Sequence, residues 1–433
     1  GGYCSEAISF VLGLSQRKDL TLQIAQHGDS FSWSFYAGLS HDVVDRLSAI
    51  LIPFLEEDEF QKHIVLCHSE PGAWNPPNWK TSLCPPEGGA LFTIGRTMFE
   101  TDRLPKNWDK RINLMDEVWV PTEFHREVFA AGGVLKEKIV VVPEPIDVDF
   151  FDPCRTKKFI LPNSDPENFK FLSVFKWEER KGWRFLLKAY FEEFSEQDNV
   201  EMLILTNQYH EDTDFAAVIS EFIEKENIPS DSLPLIQILP SNLPSSIIPS
   251  VYKSVDAFVL PSRGEGWGRP HVEAMSMALP VIATNWSGPS AYMNDDNSYP
   301  LEISGFDEIE EGAFRGHKWA RPSVTHLRTL LRHVYDNPEE AKRKGIQARR
   351  DMIEHYCPSC VTDLVMVQLQ KIKEKIEIRE KKHAEEKRRS DEKKEFDRNH
   401  SAPKGLDSFL ENDCCPAEDI VEVEIDATTS KLL

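Results

Sequence analysis

The chain has 433 residues, 40% of them hydrophobic and 10% aromatic, enough for two α/β domains of ordinary size plus a tail. Its 72 acidic and 50 basic residues leave a formal net charge of −22, which argues against a general nucleic-acid binder, because phosphate backbones need a basic face. No apolar run reaches the roughly 18–20 residues of a membrane-spanning helix, and a peripheral membrane contact is kept among the candidate partners.

The first residues, Gly1-Gly2-Tyr3-Cys4, carry no initiator methionine, so a strand and any targeting segment are expected upstream. Ala7, Ile8, Phe10, Val11, Leu12 and Leu14 predict a helix, followed by a strand at 21–26. A helix near 41–54 and a strand at 63–67 precede a loop rich in Pro and Trp at 71–86. Strands are expected at 90–94, 117–120 and 139–143, with helices at 108–115 and 123–131. This alternation is the pattern of a doubly wound parallel sheet. Residues 1–150 thus read as one Rossmann-like domain. Pro143-Glu-Pro-Ile-Asp147 is a stiff exit, and the polar stretch 152–168 reads as a linker. The alternation resumes at 165–337, with strands near 169–175, 201–206, 235–239, 257–260 and 281–284. Helices are expected at 183–194, 215–226, 247–253, 269–278 and 324–335. Two such domains facing one another make a cleft, and ligands bind outside the carboxyl ends of the strands. Residues 338–375 continue as helix, expected to cross back to the first domain. From 376 onward the chain is a charged helix and an acidic tail without a sustained apolar face.

The chemistry concentrates in two strand-to-helix turns. In Asp256-Ala-Phe-Val-Leu-Pro-Ser-Arg-Gly-Glu265-Gly-Trp-Gly-Arg-Pro-His-Val-Glu273-Ala-Met a buried strand gives way to a glycine-rich turn and a helix. Gly264, Gly266 and Gly268 let backbone approach a ligand, and free N–H groups at a helix start suit diphosphate oxygens. Glu265 and Glu273 are acceptors suited to paired sugar hydroxyls. A glycosidase pair is disfavoured. Eight residues of helix rise about 12 Å, whereas hydrolase carboxylates flank one bond at roughly 5–9.5 Å. In Phe171-Leu-Ser-Val-Phe-Lys176-Trp-Glu-Glu-Arg-Lys181-Gly182-Trp-Arg both lysines reach the same strand edge, placed to neutralise a diphosphate leaving group. Arg180 and Arg184 read as solvated surface charges.

On these residues the sequence resembles the family 4 glycosyltransferases, retaining enzymes of the GT-B fold. Glu265 and Glu273 match that family's paired glutamates, Lys181-Gly182 its Lys-Gly element, and Asn285-Trp-Ser-Gly288-Pro289 its small-residue loop after the next strand. Weaker matches run through Val118-Trp-Val-Pro-Thr122 and 141–147. The resemblance implies transfer of a hexose from a nucleotide-diphosphate sugar to a glycan, lipid or protein acceptor, with no metal and no cofactor. It implies that Glu265 contacts the donor sugar, Glu273 the ribose, and Lys176, Lys181, Gly266, Trp267 and Gly268 the diphosphate. Gly1 and Gly2 would form the amino-terminal glycine loop. Lys176 stands where the family usually carries Arg, which gives up bidentate phosphate binding, and the acidic residue that often follows the Gly288 loop is not evident.

His68, at a strand end in Cys67-His-Ser-Glu-Pro71, is a candidate catalytic residue with Glu265, weighed evenly against an ordinary loop histidine. Arg96, Glu100 and Asp102 are weighed evenly between an acceptor-side lining and surface charge. Asp147 and Asp149 are too few ligands for a divalent-ion site, and Cys357/Cys360 lack a second zinc-binding pair beyond Cys414/Cys415 in the tail. The sequon Asn285-Trp-Ser287 falls in the expected donor pocket, where a glycan would block binding, which favours a cytosol-facing domain. The rival reading is a non-catalytic nucleotide-sugar-binding or scaffold protein that works through its charged carboxyl-terminal helix.

Overall fold

The computed structural model describes residues 2–25, 39–52, 61–207, 214–229, 232–240 and 243–400. Residues 1–373 form one compact unit, and residues from 374 onward a second, described to His400. The first unit holds two parallel α/β sheets, each with its own hydrophobic core.

The amino-terminal lobe begins with α1 (Gly2–Leu14) and α2 (His41–Ile50). Its sheet is formed by β1 (Ile64–His68), β2 (Phe92–Arg96), β3 (Glu117–Val120) and β4 (Ile139–Val141), parallel and in sequence order. Short α3 (Trp108–Ile112) and α4 (Glu123–Ala131) connect the later strands, and Thr122 caps α4 by accepting from the His125 amide. The strand expected at 21–26 reduces to a single bridge, Ile24 to Leu51, with Gln26 outside the described residues. The second strand starts two residues later than expected, because Ala90 and Leu91 still belong to the approach from the Pro-rich loop. That loop is tied back by a Cys67–Cys84 disulfide and by Trp74, which is buried beneath Gly95.

The carboxyl-terminal lobe contains β5 (Phe169–Lys176), α5 (Trp183–Glu193), β6 (Val200–Asn207), α6 (Phe215–Lys225), β7 (Leu235–Leu239), α7 (Ile248–Lys253), β8 (Ala257–Leu260), α8 (Arg269–Ser276), β9 (Val281–Thr284) and β10 (Tyr299–Leu301). Strand order is β10-β9-β8-β5-β6-β7, all parallel. β8 and β9 are buried at every position, as strands covered by helices on both faces must be. From β5 the chain winds outward to β7, then returns to lay β8 on the other side of β5. The order therefore reverses between β5 and β8, the kind of switch point at which open parallel sheets bind their ligands.

An antiparallel hairpin that sequence reading did not anticipate, β11 (Ile303–Glu308) and β12 (Lys318–Pro322), precedes α9 (Val324–Asp336). The single helical pattern expected after Pro338 is two helices, α10 (Pro338–His355) and α11 (Pro358–His400), with a Cys357–Cys360 disulfide at the break. Cys414 and Cys415 lie outside the described residues. α11 reaches the first lobe: Gln368 donates to both carboxylate oxygens of Glu117 on β3, at 3.0 and 2.9 Å. Among the described residues no helix is long and apolar enough to cross a membrane.

Candidate active site

The two turns at the strand-order reversal touch backbone to backbone. β5 ends at Lys176, a 3-10 turn covers Glu179–Lys181, and Gly182 enters α5 with φ +70°. Only glycine fits there. A Cβ would lie 2.0 Å from the carbonyl oxygen of Pro261 in the loop leaving β8. The Arg263 amide then donates to the Arg180 carbonyl at 2.7 Å, locking one turn to the other.

This contact brings Lys181 to Glu265. Lys181 Nζ donates to both carboxylate oxygens, at 2.7 and 2.8 Å, with the two side chains 12% and 7% exposed. Burial alone would push the Glu265 carboxyl up, but the charges of Lys181 and Arg180 outweigh it and hold the group at about 2. Burial lowers the Lys181 ammonium, and the neighbouring Arg180 charge lowers it further against the pull of Glu265. The loop after β9 supports the glutamate from below. The Glu265 amide donates to Ser287 Oγ at 2.9 Å, and the Gly288 amide to the Glu265 carbonyl at 3.0 Å.

Arg180 is not the surface charge expected of it. Its Nη1 donates to the Gly264 carbonyl at 2.7 Å and lies 3.2 Å from Glu265, its Nη2 lies 2.7 Å from Glu178, and its Nε lies 3.3 Å from Glu100 of the first lobe. The signal that could have exposed it is its place beside Lys181, at a strand end where a solvated guanidinium has no need to sit. Arg184 is half exposed, paired with Glu179 and stacked on Trp183.

Glu273 sits one turn into α8, accepting from the Tyr252 hydroxyl at 3.1 Å, with Arg269 Nε 4.0 Å away. Burial raises its pKa, in contrast to Glu265. Gly268 caps α8 with φ +98°, and Gly266 abuts Met98 of the first lobe. The Trp267 ring is buried against Tyr292 and Tyr356, and its carbonyl accepts from the Tyr292 hydroxyl at 2.8 Å. Lys176 is exposed at the end of β5. Gly1 lies outside the described residues, and Gly2 is the first residue of α1, not part of a free loop. His271, unremarked in the sequence, is fully buried with Nδ1 3.2 Å from the Gly268 carbonyl, and burial holds it at about 4.

The first lobe supplies the facing wall. A Cβ on Gly264 would lie 2.1 Å from the Glu100 carbonyl, so the glutamate loop lies directly on residues 98–100. The hairpin clasps the same segment: the Lys318 amide donates to Asp102 at 2.6 Å, and Thr101 Oγ1 lies 2.8 Å from His317 Nδ1. His68 ends β1 with Nε2 2.9 Å from Glu6 Oε2. Arg96 is neither a surface charge nor an open lining residue; it is 1% exposed and paired with Glu6. Asp147 spends its carboxylate on the amides of Asp149 and Phe150. A surface depression of about 830 Å³ on the flank of α10, lined in part by Glu340, Arg343 and Lys344, includes none of these site residues.

Residues 166–303 match the family model for glycosyl transferases group 1. This stretch is a glycosyl transferases group 1 domain. The match spans both strand-end turns and both glutamates, and it makes the chain an enzyme of the glycosyltransferase class. No characterised protein matches the chain closely in sequence. Among solved structures, a glycosyltransferase from Rickettsia africae is similar at 16% identity and TM-score 0.60, over 85% of this chain and 94% of its own. HepE of Anabaena, solved in complex with UDP, is similar at 12% identity and TM-score 0.59, over 86% and 96%. The same protein in complex with UDP and glucose gives 13% identity and TM-score 0.50, over 64% and 71%. These likenesses are of fold, and the fold is GT-B.

Proposed function

We propose that the chain transfers a hexose from a UDP-sugar to a hydroxyl acceptor with retention of the anomeric configuration. The observation that carries this reading is the buried Lys181–Glu265 pair at the strand-order reversal, beside a glycine turn and the start of α8. Lys181 takes the diphosphate, with Lys176 at its outer edge and the amides of Gly266, Trp267 and Gly268 on its oxygens. Glu265, held ionised, accepts hydrogen bonds from two donor-sugar hydroxyls once Lys181 turns to the phosphates, and Glu273 receives the ribose hydroxyls. The lobe of residues 1–150 takes the acceptor, with His68 on its wall. UDP-bound HepE shares this fold, which supports a uridine donor.

The C–O bond to the diphosphate breaks as positive charge develops on the sugar ring. The acceptor oxygen attacks from the face the diphosphate leaves, and its proton passes to a departing phosphate oxygen. Lys181 and the helix-start amides stabilise the charge growing on that leaving group, so their contact strengthens toward the transition state. Because side-chain cations supply this counter-charge, turnover is expected to persist in EDTA. UDP release from a panel of UDP-hexoses, with the product anomer read by NMR, tests the reading. Loss of release in both Lys181→Met and Glu265→Gln is expected, and undiminished release in both overturns the assignment. Donor binding without release across a broad acceptor panel would favour a non-catalytic binding protein.

A further inference from the structure

Among the buried charged groups that the roles proposed above leave unused is Glu6 on α1, fully buried, whose two carboxylate oxygens point to different partners. Oε1 receives Arg96, at 2.6 Å from Nε and 2.5 Å from Nη2, while Arg96 Nη1 donates to the Val142 carbonyl at 2.6 Å. Oε2 stands 2.9 Å from His68 Nε2. The carboxylate is thus divided between the guanidinium on Oε1 and the imidazole on Oε2, which holds a ring that could otherwise turn at the strand end. We propose that Glu6 is a positioning residue for His68, locking the ring by Nε2 so that Nδ1 is left as an acceptor for a sugar hydroxyl. This rests on the glycosyltransferase reading and deepens it.

The chemistry is one of proton inventory. An ionised carboxylate only accepts, so the ring nitrogen facing it carries the hydrogen, and the other nitrogen of a neutral imidazole presents its lone pair. Metal-ligating histidines are oriented by the same carboxylate contact. Two further contacts confine the ring. Tyr3 meets it edge-on at 5.5 Å between centroids, and the Cys67–Cys84 disulfide ties down the preceding residue. The Tyr3 hydroxyl lies 3.4 Å from the Met98 carbonyl oxygen, and Met98 in turn packs on Gly266 of the glutamate loop. A chain of three contacts thus runs from the imidazole to the donor turn. The imidazole side chain remains 14% exposed, so the ring is not sealed from solvent.

The test uses the full chain with Glu6→Gln, Glu6→Asp, His68→Ala and the Glu6→Gln/His68→Ala double variant. If Glu6 acts through His68, Glu6→Gln lowers kcat for UDP release about tenfold with the donor KM within about twofold, and the double variant is no slower than His68→Ala alone. Glu6→Asp recovers part of the loss, and it serves as the folded comparison should the amide leave Arg96 unpaired and unfold the lobe. Multiplicative losses in the double variant, or wild-type turnover in His68→Ala, overturn the proposal. An independent readout is the downfield imidazole N–H proton in the NMR spectrum, expected in the wild type and lost in both Glu6→Gln and His68→Ala. Its absence from the wild type also overturns the proposal. If no UDP-hexose is turned over, the functional reading fails while this resonance still decides the Glu6–His68 geometry.

Discussion

Lys181→Met isolates what the Lys181–Glu265 pair does for the fold from what it does for the donor. Two opposite charges about 3 Å apart attract by about 5–6 kcal/mol at an effective dielectric constant of ~20, and desolvation of both ions takes back most of that. The intact pair therefore adds little net stability, but removing one member strands the other. With the side chains 12% and 7% exposed, little water can re-enter to screen the survivor. A broken buried pair costs about 3–5 kcal/mol. Lys181→Met should fall at the low end, because Arg180 still faces Glu265 at 3.2 Å. Glu265→Gln should fall higher, because it leaves Lys181 and Arg180 side by side. The Lys181→Met/Glu265→Gln double variant should return to within about 1 kcal/mol of wild type, since a well-packed neutral pair replaces a well-satisfied charged one. Urea unfolding followed by tryptophan fluorescence measures all four proteins, and UDP release should be lost in all three variants. The pH dependence carries a sign. Glu265 is held at about 2 against an ordinary 4.5, so its pairing stabilises the fold fully above about 4.5. That contribution fades as pH falls toward 2, and the gap between wild type and Lys181→Met closes with it. Two single losses that simply add in the double variant would refute the reasoning.

Three further outcomes are expected. His271 is held at about 4 against 6.5, so below 6.5 the unfolded chain takes up a proton the folded one refuses, and stability falls by about 1.4 kcal/mol per pH unit down to 4. His271→Gln should flatten the measured curve of unfolding free energy against pH by that slope. Cys84→Ser opens a loop closed over a separation of 17 residues and should destabilise the first lobe by about 3 kcal/mol, read as earlier unfolding in thermal melts of the oxidised protein. Gly182→Ala forces a Cβ to within 2.0 Å of the Pro261 carbonyl at φ +70°. It should cost at least about 2 kcal/mol and cut UDP release along with stability, because the turn that carries Lys181 is the one displaced.

Both sheets were legible in the sequence because parallel strands buried on two faces write themselves as unbroken apolar runs, as in Ala257–Leu260 and Val281–Thr284. The turns beyond them were legible through glycines that nothing else can replace. Elements lacking such a signature were misread. The strand expected at 21–26 alternates, with Leu22 and Ile24 half-buried between exposed neighbours, but carries no unbroken apolar run and survives as one bridge. The β11–β12 hairpin has half-exposed alternation broken by charge, and what holds it is a tertiary partner, the 99–102 segment of the first lobe. Arg180, Arg96 and Glu6 share this difficulty. A charged residue whose partners lie far away in sequence looks solvated until the fold supplies them, and Glu6 finds Arg96 at a separation of 90 residues.

The site's electrostatics explain why its two glutamates, similar in sequence, differ in state. Glu265 stands where two turns converge, so two cations from the neighbouring strand end reach it and hold it charged. Glu273, a turn further into α8, has burial without a close cation, since Arg269 stands 4.0 Å away and is shared with Glu144 at 3.6 Å. A ligand that brings its own negative charge to the helix start must compete with Glu265 for Lys181, and a ligand that brings only hydroxyls cannot do so. On the proposed reading, the free enzyme stores its phosphate-binding cation on its sugar-binding anion. Only a molecule bearing both a diphosphate and hydroxyls can satisfy the two groups after separating them, which makes the self-neutralised pair a filter against free sugars.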